Sequence, residues 1–284
     1  MNRSAGLDPT TLQALRGRGR DTRTLINQIA AHLDAHDGYV ALSGGKDSVV
    51  VAHLARQADP NVPMVWFDAG LDLPETRPYL EALANDWSLN LTVLTSHPSG
   101  LQVLASCGAW DHDAPNRPTP ELAEVLIDAP ARHAHHLFGP GELWGVRASE
   151  SAGRRHMYAT QLRRRITECP DPTCCPPGAR RAPTPSQRHA HGGQIHRTDH
   201  TRAYGPIWDW ATDRVWEYVA AHDIPAHPAY ATLQALGAPE HAQRVSSIVS
   251  GALLENGRIT WLRRGWPQTY AALLEQLPRL AEFV

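Results

Sequence analysis

The chain has 284 residues, of which 42% are hydrophobic and 20% are charged, and its formal net charge is −2 at pH 7. This composition is typical of a globular domain; four cysteines are too few for a disulfide scaffold, and the small net charge excludes a global attraction to nucleic acid or anionic membranes. No apolar run approaches the roughly 20 residues that cross a bilayer, and no apolar segment follows the charged N-terminus as in a secretion signal, so we expect a cytoplasmic protein without a membrane partner.

The N-terminal part of the chain alternates between helical and extended apolar patterns. Leu25, Ile29 and Leu33 fall at spacings of four, which predicts one or two helices within residues 1–36. After them, the runs GYVAL, VPMVWFDAG and LNLTVL predict three buried strands, and DSVVVAHLARQ and TRPYLEALANDW predict the helices between them. ELWGVRA, residues 142–148, predicts a further strand. Strands that alternate with helices of about ten to fifteen residues favour a parallel sheet with helices on both faces.

These patterns divide the chain into four segments. Residues 1–36 are predicted as an N-terminal helical segment, 37–162 as an α/β core, 163–203 as a mobile basic loop containing Pro, His and Cys, and 204–284 as a mostly helical part that completes the core. The loop prediction rests on eight arginines against three acidic residues in 163–202, with almost no periodic apolar signal. The predicted fold class is α/β, with a doubly wound, mainly parallel sheet, N-terminal helices and a helical C-terminal part.

The stretch SGGKDS, residues 43–48, joins the first predicted strand to its helix and contains the only lysine of the sequence, against 26 arginines. Its two glycines allow a sharp turn whose N–H groups approach an anion, and the N-terminus of the next helix, predicted to start at Asp47 or Ser48, points to the same place. Lys46 adds a compact, mobile charge, which suits a phosphate whose charge moves during a reaction. The spacing differs from that of a Walker A loop. The predicted phosphate-binding residues are Ser43, Gly44, Gly45, Lys46, Asp47 and Ser48.

These residues resemble the loop of the PP-loop ATP pyrophosphatases, or adenine nucleotide alpha hydrolase superfamily, in which SGGxDS grips the β- and γ-phosphates of ATP. Three further blocks are similar to the branch that contains phosphoadenosine phosphosulfate (PAPS) reductase. They are VWFDAGLDLPET (65–76), LWGVRASESAGRR (143–155) and PIWDWATDRVWEYVAAHDIPAHPAY (206–230). Ala69 replaces the usual threonine of the first block. The four blocks follow the family's order over residues 38–230, and the chain is identified as a member of the PAPS reductase-like branch.

Further site residues are expected from these blocks. Asp68 and Glu75 follow the second predicted strand, at the sheet edge where α/β proteins bind ligands. We expect Asp68 to hold Mg²⁺ or a ribose hydroxyl; the alternative is that the two carboxylates only form a turn and a helix start. The three arginines of the next block offer bidentate donors to phosphate or sulfate oxygens, and Glu150 either orients Arg147 or is solvated. The predicted substrate-binding residues are Glu75, Arg147, Glu150, Arg154 and Arg155, and the predicted catalytic residues are Lys46, Asp47 and Arg147.

The resemblance implies a nucleophilic cysteine near the C-terminus of a true reductase, whereas this sequence has no cysteine after Cys175. The lysine of SGGKDS is typical of relatives that use ATP. We therefore expect an enzyme that binds ATP and Mg²⁺ and forms AMP and pyrophosphate, adenylating an acceptor for sulfur or nitrogen transfer. Two alternatives stay open. One is a PAPS or adenylylsulfate reductase that releases sulfite with thioredoxin; the other is a nucleotide-binding accessory protein of a nucleic-acid modification or CRISPR-associated defence system.

The cysteines carry a separate hypothesis. An iron–sulfur cluster or a zinc ion on all four is one interpretation, a sulfur-relay cysteine is a second, and plain thiols are the favoured one. Four histidines in the basic segment match no strong zinc spacing, so we favour a low-complexity loop for them. The four cysteines are Cys107, Cys169, Cys174 and Cys175, and the four histidines are His189, His191, His196 and His200.

Partners other than an adenine nucleotide are left open by the sequence. The arginines of residues 163–202 suit either a phosphate track for nucleic acid or a lid that closes over the phosphates of ATP. The sequence does not separate these two interpretations. A homodimer also stays open.

Overall fold

A six-stranded sheet runs through the computed structural model, which describes residues 22–107, 124–176, 182–245 and 258–284. The strands are β1 (Tyr39–Ala41), β2 (Pro63–Asp68), β3 (Asn90–Thr95), β4 (Gly141–Leu143), β5 (Gln194–His196) and β6 (Arg202–Tyr204). Their order across the sheet is β3-β2-β1-β4-β6-β5. All neighbours pair in parallel except β5 and β6, which are antiparallel. The predicted fold class, an α/β protein with a mainly parallel sheet, is confirmed.

Helices connect and cover the strands. They are α1 (Arg23–His36), α2 (Lys46–Ala58), α3 (Thr76–Trp87), α4 (Gly100–Cys107), α5 (Ala129–Phe138), α6 (Ala152–Glu168), α7 (Pro185–His191), α8 (Thr212–Ala221), α9 (Ala229–Ala235), α10 (Arg258–Gly265) and α11 (Pro267–Gln276). A π-helical turn (Glu124–Asp128) precedes α5, and 3₁₀ turns lie at Ala148–Glu150, Glu240–Ala242 and Pro278–Phe283. Within the described ranges, no helix has both the length and the apolarity needed to span a bilayer.

The connections on the two sides of β1 explain where a ligand site forms. Within the sheet, β2 and β3 lie on one side of β1, and β4 and β6 lie on its other side. The chain proceeds from β1 to β2 and β3 before it crosses to β4. Parallel α/β sheets bind ligands beyond the carboxyl ends of the strands at such a point of divergence. SGGKDS follows β1 and therefore lies at this point.

Two apolar cores hold the sheet and the C-terminal helices. The larger core packs α1, α2 and α8 against β1 and β2, and α2 contributes a nearly continuous buried run because it is covered on several sides. The second core packs α9, α10 and α11 around Leu71 and Leu73, which follow β2. The C-terminal helices are thereby held beside the carboxyl end of β2 and next to SGGKDS.

The basic segment is more ordered than the sequence predicts. Helix α6 continues to Glu168, and α7, β5 and the first two residues of β6 also fall within residues 163–203. A small core explains this order: Ile195, Ala203 and Trp208 pack against Tyr158 and Leu162 of α6. Because these apolar residues come from separate short elements, no single window of sequence shows their periodicity. The prediction of a loop is therefore wrong for these elements.

The predicted strand ELWGVRA is also shorter in the structure. Only its first two residues belong to β4, which ends at Leu143. The remainder, from Trp144 to Arg147, lies beyond the strand end and lines a cavity. The prediction rested on an apolar run. This run continues beyond Leu143, the last residue that pairs in the sheet, because the residues after it line the cavity.

Candidate functional site

A cavity of about 700 Å³ opens at the carboxyl ends of β1, β2 and β4. This volume falls within the range of about 300 to 1,000 Å³ that is usual for small-molecule sites. Its walls come from SGGKDS, from the segments that follow β2 and β4, and from residues 240–245. The cavity therefore lies where the sheet topology places ligands, and all four sequence blocks contribute residues to its lining.

Two glycines and a serine shape the SGGKDS loop. Gly44 has φ +78°, a left-handed conformation that glycine adopts without strain. Gly45 is extended and precedes α2, whose first residue is Lys46. The buried Ser48 hydroxyl donates to the Gly45 carbonyl at 2.9 Å and accepts the Ser43 N–H at 3.2 Å. The loop is thus fixed around the N-terminus of α2, where the helix dipole favours an anion.

Lys46, Asp47 and Arg147 form a line of alternating charges on the cavity wall. Lys46 Nζ lies 2.7 Å from Asp47 Oδ2, and Arg147 Nε lies 2.7 Å from Asp47 Oδ1. The Lys46 side chain is 12% exposed and that of Asp47 is 14% exposed. Two cations against one carboxylate leave an excess of one positive charge beside the loop, which favours an anionic ligand.

Arg147 is occupied by protein groups. Its side chain is 3% exposed, and Nη1 donates to Ser149 Oγ and to the Trp210 carbonyl, each at 3.0 Å. Nη2 donates to Thr212 Oγ1 at 3.4 Å. All three nitrogens of the guanidinium therefore contact protein, so the geometry supports a positioning role for Arg147, through Asp47, rather than a bidentate grip on substrate.

Glu150 and Arg154 complete this wall of the cavity. Glu150 Oε2 accepts the backbone N–H of Arg147 at 2.9 Å and also pairs with Arg154 Nη1. The backbone N–H of Arg154 donates to Ser151 Oγ at 3.1 Å, which caps α6. At 37% exposure, the Arg154 side chain is the more accessible of the two arginines on this wall. Arg155 is exposed and lies outside the cavity lining.

Asp68 and Glu75 pair with protein groups outside the cavity lining. Asp68 accepts the Gly70 N–H at 3.0 Å and lies 2.6 Å from Arg77 Nη2. Glu75 accepts the Trp266 indole N–H at 2.7 Å and directly precedes α3. Neither carboxylate belongs to the cavity lining in the described part of the chain. These contacts agree with the alternative of a turn and a helix start, and the lining carboxylate after β2 is Asp72.

Tyr230 is a site residue that the sequence patterns did not predict. Its hydroxyl accepts the Lys46 backbone N–H at 3.0 Å and lines the cavity. Burial raises the pKa of Tyr230, so the phenol keeps its proton at neutral pH. The Pro-x-Tyr element at 228–230 was the available signal. It did not reveal the role, because the contact with Lys46 crosses most of the chain.

Gly145 gives a direct test of this packing. A Cβ added at Gly145 would lie 2.5 Å from the Ser48 backbone nitrogen and 2.6 Å from the Asp47 carbonyl carbon. Gly145→Ala is therefore expected to lower the free energy of unfolding by about 1 to 3 kcal/mol and to displace the loop. Urea unfolding measures the change. Gly153→Ala is the matched control: its nearest neighbour would be 3.9 Å away, and helix propensity favours alanine by up to about 1 kcal/mol. Equal stability of the two variants would contradict the close approach.

Comparisons with known proteins bear on this site. Residues 38–235 match the family model described as the phosphoadenosine phosphosulfate reductase domain. The phosphoadenosine 5'-phosphosulfate reductase of Synechococcus sp. is 26% identical over 192 residues, covering 67% of this chain and 68% of that protein. The protein of the same name from Xylella fastidiosa is 27% identical over 214 residues, covering 74% and 75%. A solved phosphoadenylyl-sulfate (PAPS) reductase from Candida auris, in a phosphate complex, aligns over 82% of this chain and 94% of its own, with a TM-score of 0.49 and 13% identity.

Proposed function

Because the chain belongs to the phosphoadenosine phosphosulfate reductase domain family, we propose that its cavity binds the adenine nucleotide ATP and cleaves the bond between the α- and β-phosphates. The observation that carries this proposal is the position of Lys46. Its ammonium stands on the cavity wall at the start of α2, beside a loop whose glycines bring backbone close to a ligand. A polyphosphate is the ligand that uses a helix N-terminus and a mobile ammonium together.

The alternating charges of Lys46, Asp47 and Arg147 allow Lys46 to exchange its ion-pair partner. When a phosphate binds, Lys46 turns from Asp47 to the phosphate oxygens, and Asp47 keeps Arg147 as its counter-ion. Arg147 holds the carboxylate in place through its own three protein contacts. The site therefore accepts an anion without leaving a carboxylate unpaired. Arg154 and Arg244, which also line the cavity, are the cations that contact the acceptor or the leaving group.

Magnesium ions fit the donor set of this cavity. Mg²⁺ takes one or two protein carboxylates and completes its shell with phosphate oxygens and water. Asp47 and Asp72 both lie on the wall, and they are the residues that would hold the ion. Bound there, Mg²⁺ would neutralise charge on the departing pyrophosphate.

The reaction we propose is adenylation of an acceptor. An acceptor oxygen attacks the α-phosphorus, the bond to the bridging oxygen breaks, and the electron pair leaves with pyrophosphate. AMP, now bonded to the acceptor, becomes the leaving group for a later sulfur or nitrogen nucleophile, and water in the place of that nucleophile gives free AMP. The N-terminus of α2 and Lys46 would stabilise the charge that develops on the β-phosphate.

PAPS reduction is the second candidate, and the named relatives favour it, since two of them share more than two thirds of their length with this chain. Such a reaction needs a thiolate that attacks the sulfonate sulfur. No cysteine belongs to the cavity lining among the described residues. This absence, together with Lys46, is why we place ATP first.

A paired assay separates the candidates. The assay contains α-labelled ATP, Mg²⁺ and an extract fraction as the source of the acceptor. We expect labelled AMP and an equal amount of unlabelled pyrophosphate. With PAPS and reduced thioredoxin, we expect no sulfite. Sulfite release without AMP formation would overturn the proposal in favour of reduction. Nucleotide binding without turnover in either assay would overturn it in favour of an accessory role, in which contact with nucleic acid or a second copy becomes the next question.

A further inference from the structure

Three cysteines and one histidine meet at the far end of α6, outside the cavity lining. Cys169 follows the last residue of α6, Cys174 and Cys175 lie in the turn beyond it, and His191 is the last residue of α7. Their three sulfurs and one ring nitrogen all lie within 4.8 Å of one another. Side chains from separate elements thus bring three sulfurs and one imidazole nitrogen together. Cys175 is buried, and the other three residues are partly buried.

The spacings among three of these atoms match those around a single tetrahedral ion, and Cys169 Sγ lies within 4.8 Å of each of them. Cys174 Sγ lies 3.7 Å from Cys175 Sγ, and His191 Nε2 lies 3.5 Å and 3.4 Å from these two sulfurs. With bonds of about 2.3 Å to sulfur and about 2.0 Å to nitrogen, a tetrahedral zinc site separates two sulfurs by about 3.8 Å, and sulfur from nitrogen by about 3.5 Å. A [4Fe–4S] cluster binds its thiolates through separate irons, so its ligand sulfurs lie farther apart.

Two neighbouring side chains, Gln187 and Arg165, favour a metal ion on these four ligand atoms. Gln187 is buried; its amide donates to the Cys174 carbonyl at 3.0 Å and reaches Cys175 Sγ at 3.9 Å. Arg165 pairs with Glu168 through Nη1 at 3.8 Å, and its buried Nε has no hydrogen-bond partner among the described residues. Three thiolates and a neutral imidazole around a divalent ion carry one net negative charge, which this guanidinium would balance.

We propose that Cys169, Cys174, Cys175 and His191 bind one Zn²⁺ ion as a structural site. This set differs from the four-cysteine interpretation of the sequence, because His191 takes the fourth position; Cys107 ends α4, and its side chain lies outside the described residues. The ion joins the C-terminus of α6 to α7, and through α7 to the β5 edge of the sheet. Because α6 carries Arg154 at its other end, the site also fixes the helix that borders the cavity. The proposal does not depend on the nucleotide.

Metal analysis of the full chain, expressed with added zinc and purified without oxygen or chelator, tests the site. We expect one zinc per chain, with neither iron nor acid-labile sulfide. Cys174→Ser and His191→Ala are each expected to bring the content below about a tenth of an ion at equal zinc activity, since a structural site needs all four ligands. Cys107→Ser is the matched control and keeps one zinc. Gln187→Ala is expected to weaken zinc binding about 10- to 100-fold, as loss of a supporting hydrogen bond does.

Two further readouts keep the result independent of misfolding. Cobalt added to the metal-free protein should give the strong visible bands of a tetrahedral thiolate site, and these bands should vanish in His191→Ala. Chelator should expose residues 169–176 and 182–191 to a protease while the circular dichroism of the sheet and main helices stays unchanged. Iron with sulfide, less than a tenth of a zinc ion in the wild-type chain, or full zinc retention in both ligand variants would each overturn the proposal.

Discussion

Replacing Lys46 with alanine is expected to lower the rate of AMP and pyrophosphate formation by about 100-fold or more, because one preorganised charge at developing negative charge contributes that much. The free energy of unfolding should fall by about 1 kcal/mol or less, since the substitution leaves no charge without a partner: Asp47 keeps Arg147 at 2.7 Å. Turnover of α-labelled ATP and urea unfolding measure the two effects in the same preparations.

Lys46→Arg is the control that separates charge from shape. Arginine keeps the positive charge, but its rigid fork adapts less well to a phosphate that changes geometry. We therefore expect partial turnover, between wild type and Lys46→Ala. If the alanine variant turns over ATP at the wild-type rate, the loop is not the phosphate site, even though the fold is correct.

Arg147→Met is expected to have the largest effect on stability. The Arg147 side chain is 3% exposed. Its loss leaves the Asp47 carboxylate, which is 14% exposed, with Lys46 alone, and it leaves the Trp210 carbonyl with only the weaker donor Ser149 Oγ at 3.4 Å. Removing one partner of a buried ion pair costs about 3 to 5 kcal/mol. Urea unfolding followed by circular dichroism and tryptophan fluorescence measures this loss.

A double variant and a surface control make the Arg147 result specific. Asp47→Asn combined with Arg147→Met removes both charges, so it should lose less stability than the sum of the single variants. Arg164→Met breaks a pair with Glu168 in which the arginine is 59% exposed, and the expected change is at most about 1 kcal/mol. Strict additivity of the double variant would show that the two side chains do not act together.

The core of the fold could be predicted because its signals are local. GYVAL, VPMVWFDAG and LNLTVL are short apolar runs, and the strands form on them with ends that differ by one or two residues. SGGKDS lies at a strand–helix junction, as expected, and α2 begins at Lys46, one or two residues earlier than predicted. Each of these predictions needs only neighbouring residues, so tertiary contacts could refine the boundaries without changing the elements.

The remainder of the site depends on contacts that no local pattern contains. Asp68 is the last residue of β2 and Asp72 follows four residues later; the path of the chain after Gly70, at φ +71°, places Asp72 rather than Asp68 on the cavity wall. The role that we propose for His191 was hidden in the same way. Its spacing from Cys175 resembles no zinc motif, and the two residues meet because α7 packs against α6.

The bond between the Lys46 N–H and the Tyr230 hydroxyl joins residues 184 positions apart. Contacts of such long sequence separation form late, since closing a long loop has an entropic cost that only the nearly complete fold can offset. A ligand held by both residues thus recognises the finished chain and no earlier intermediate. Such a ligand should lower the rate of unfolding and leave the rate of folding unchanged.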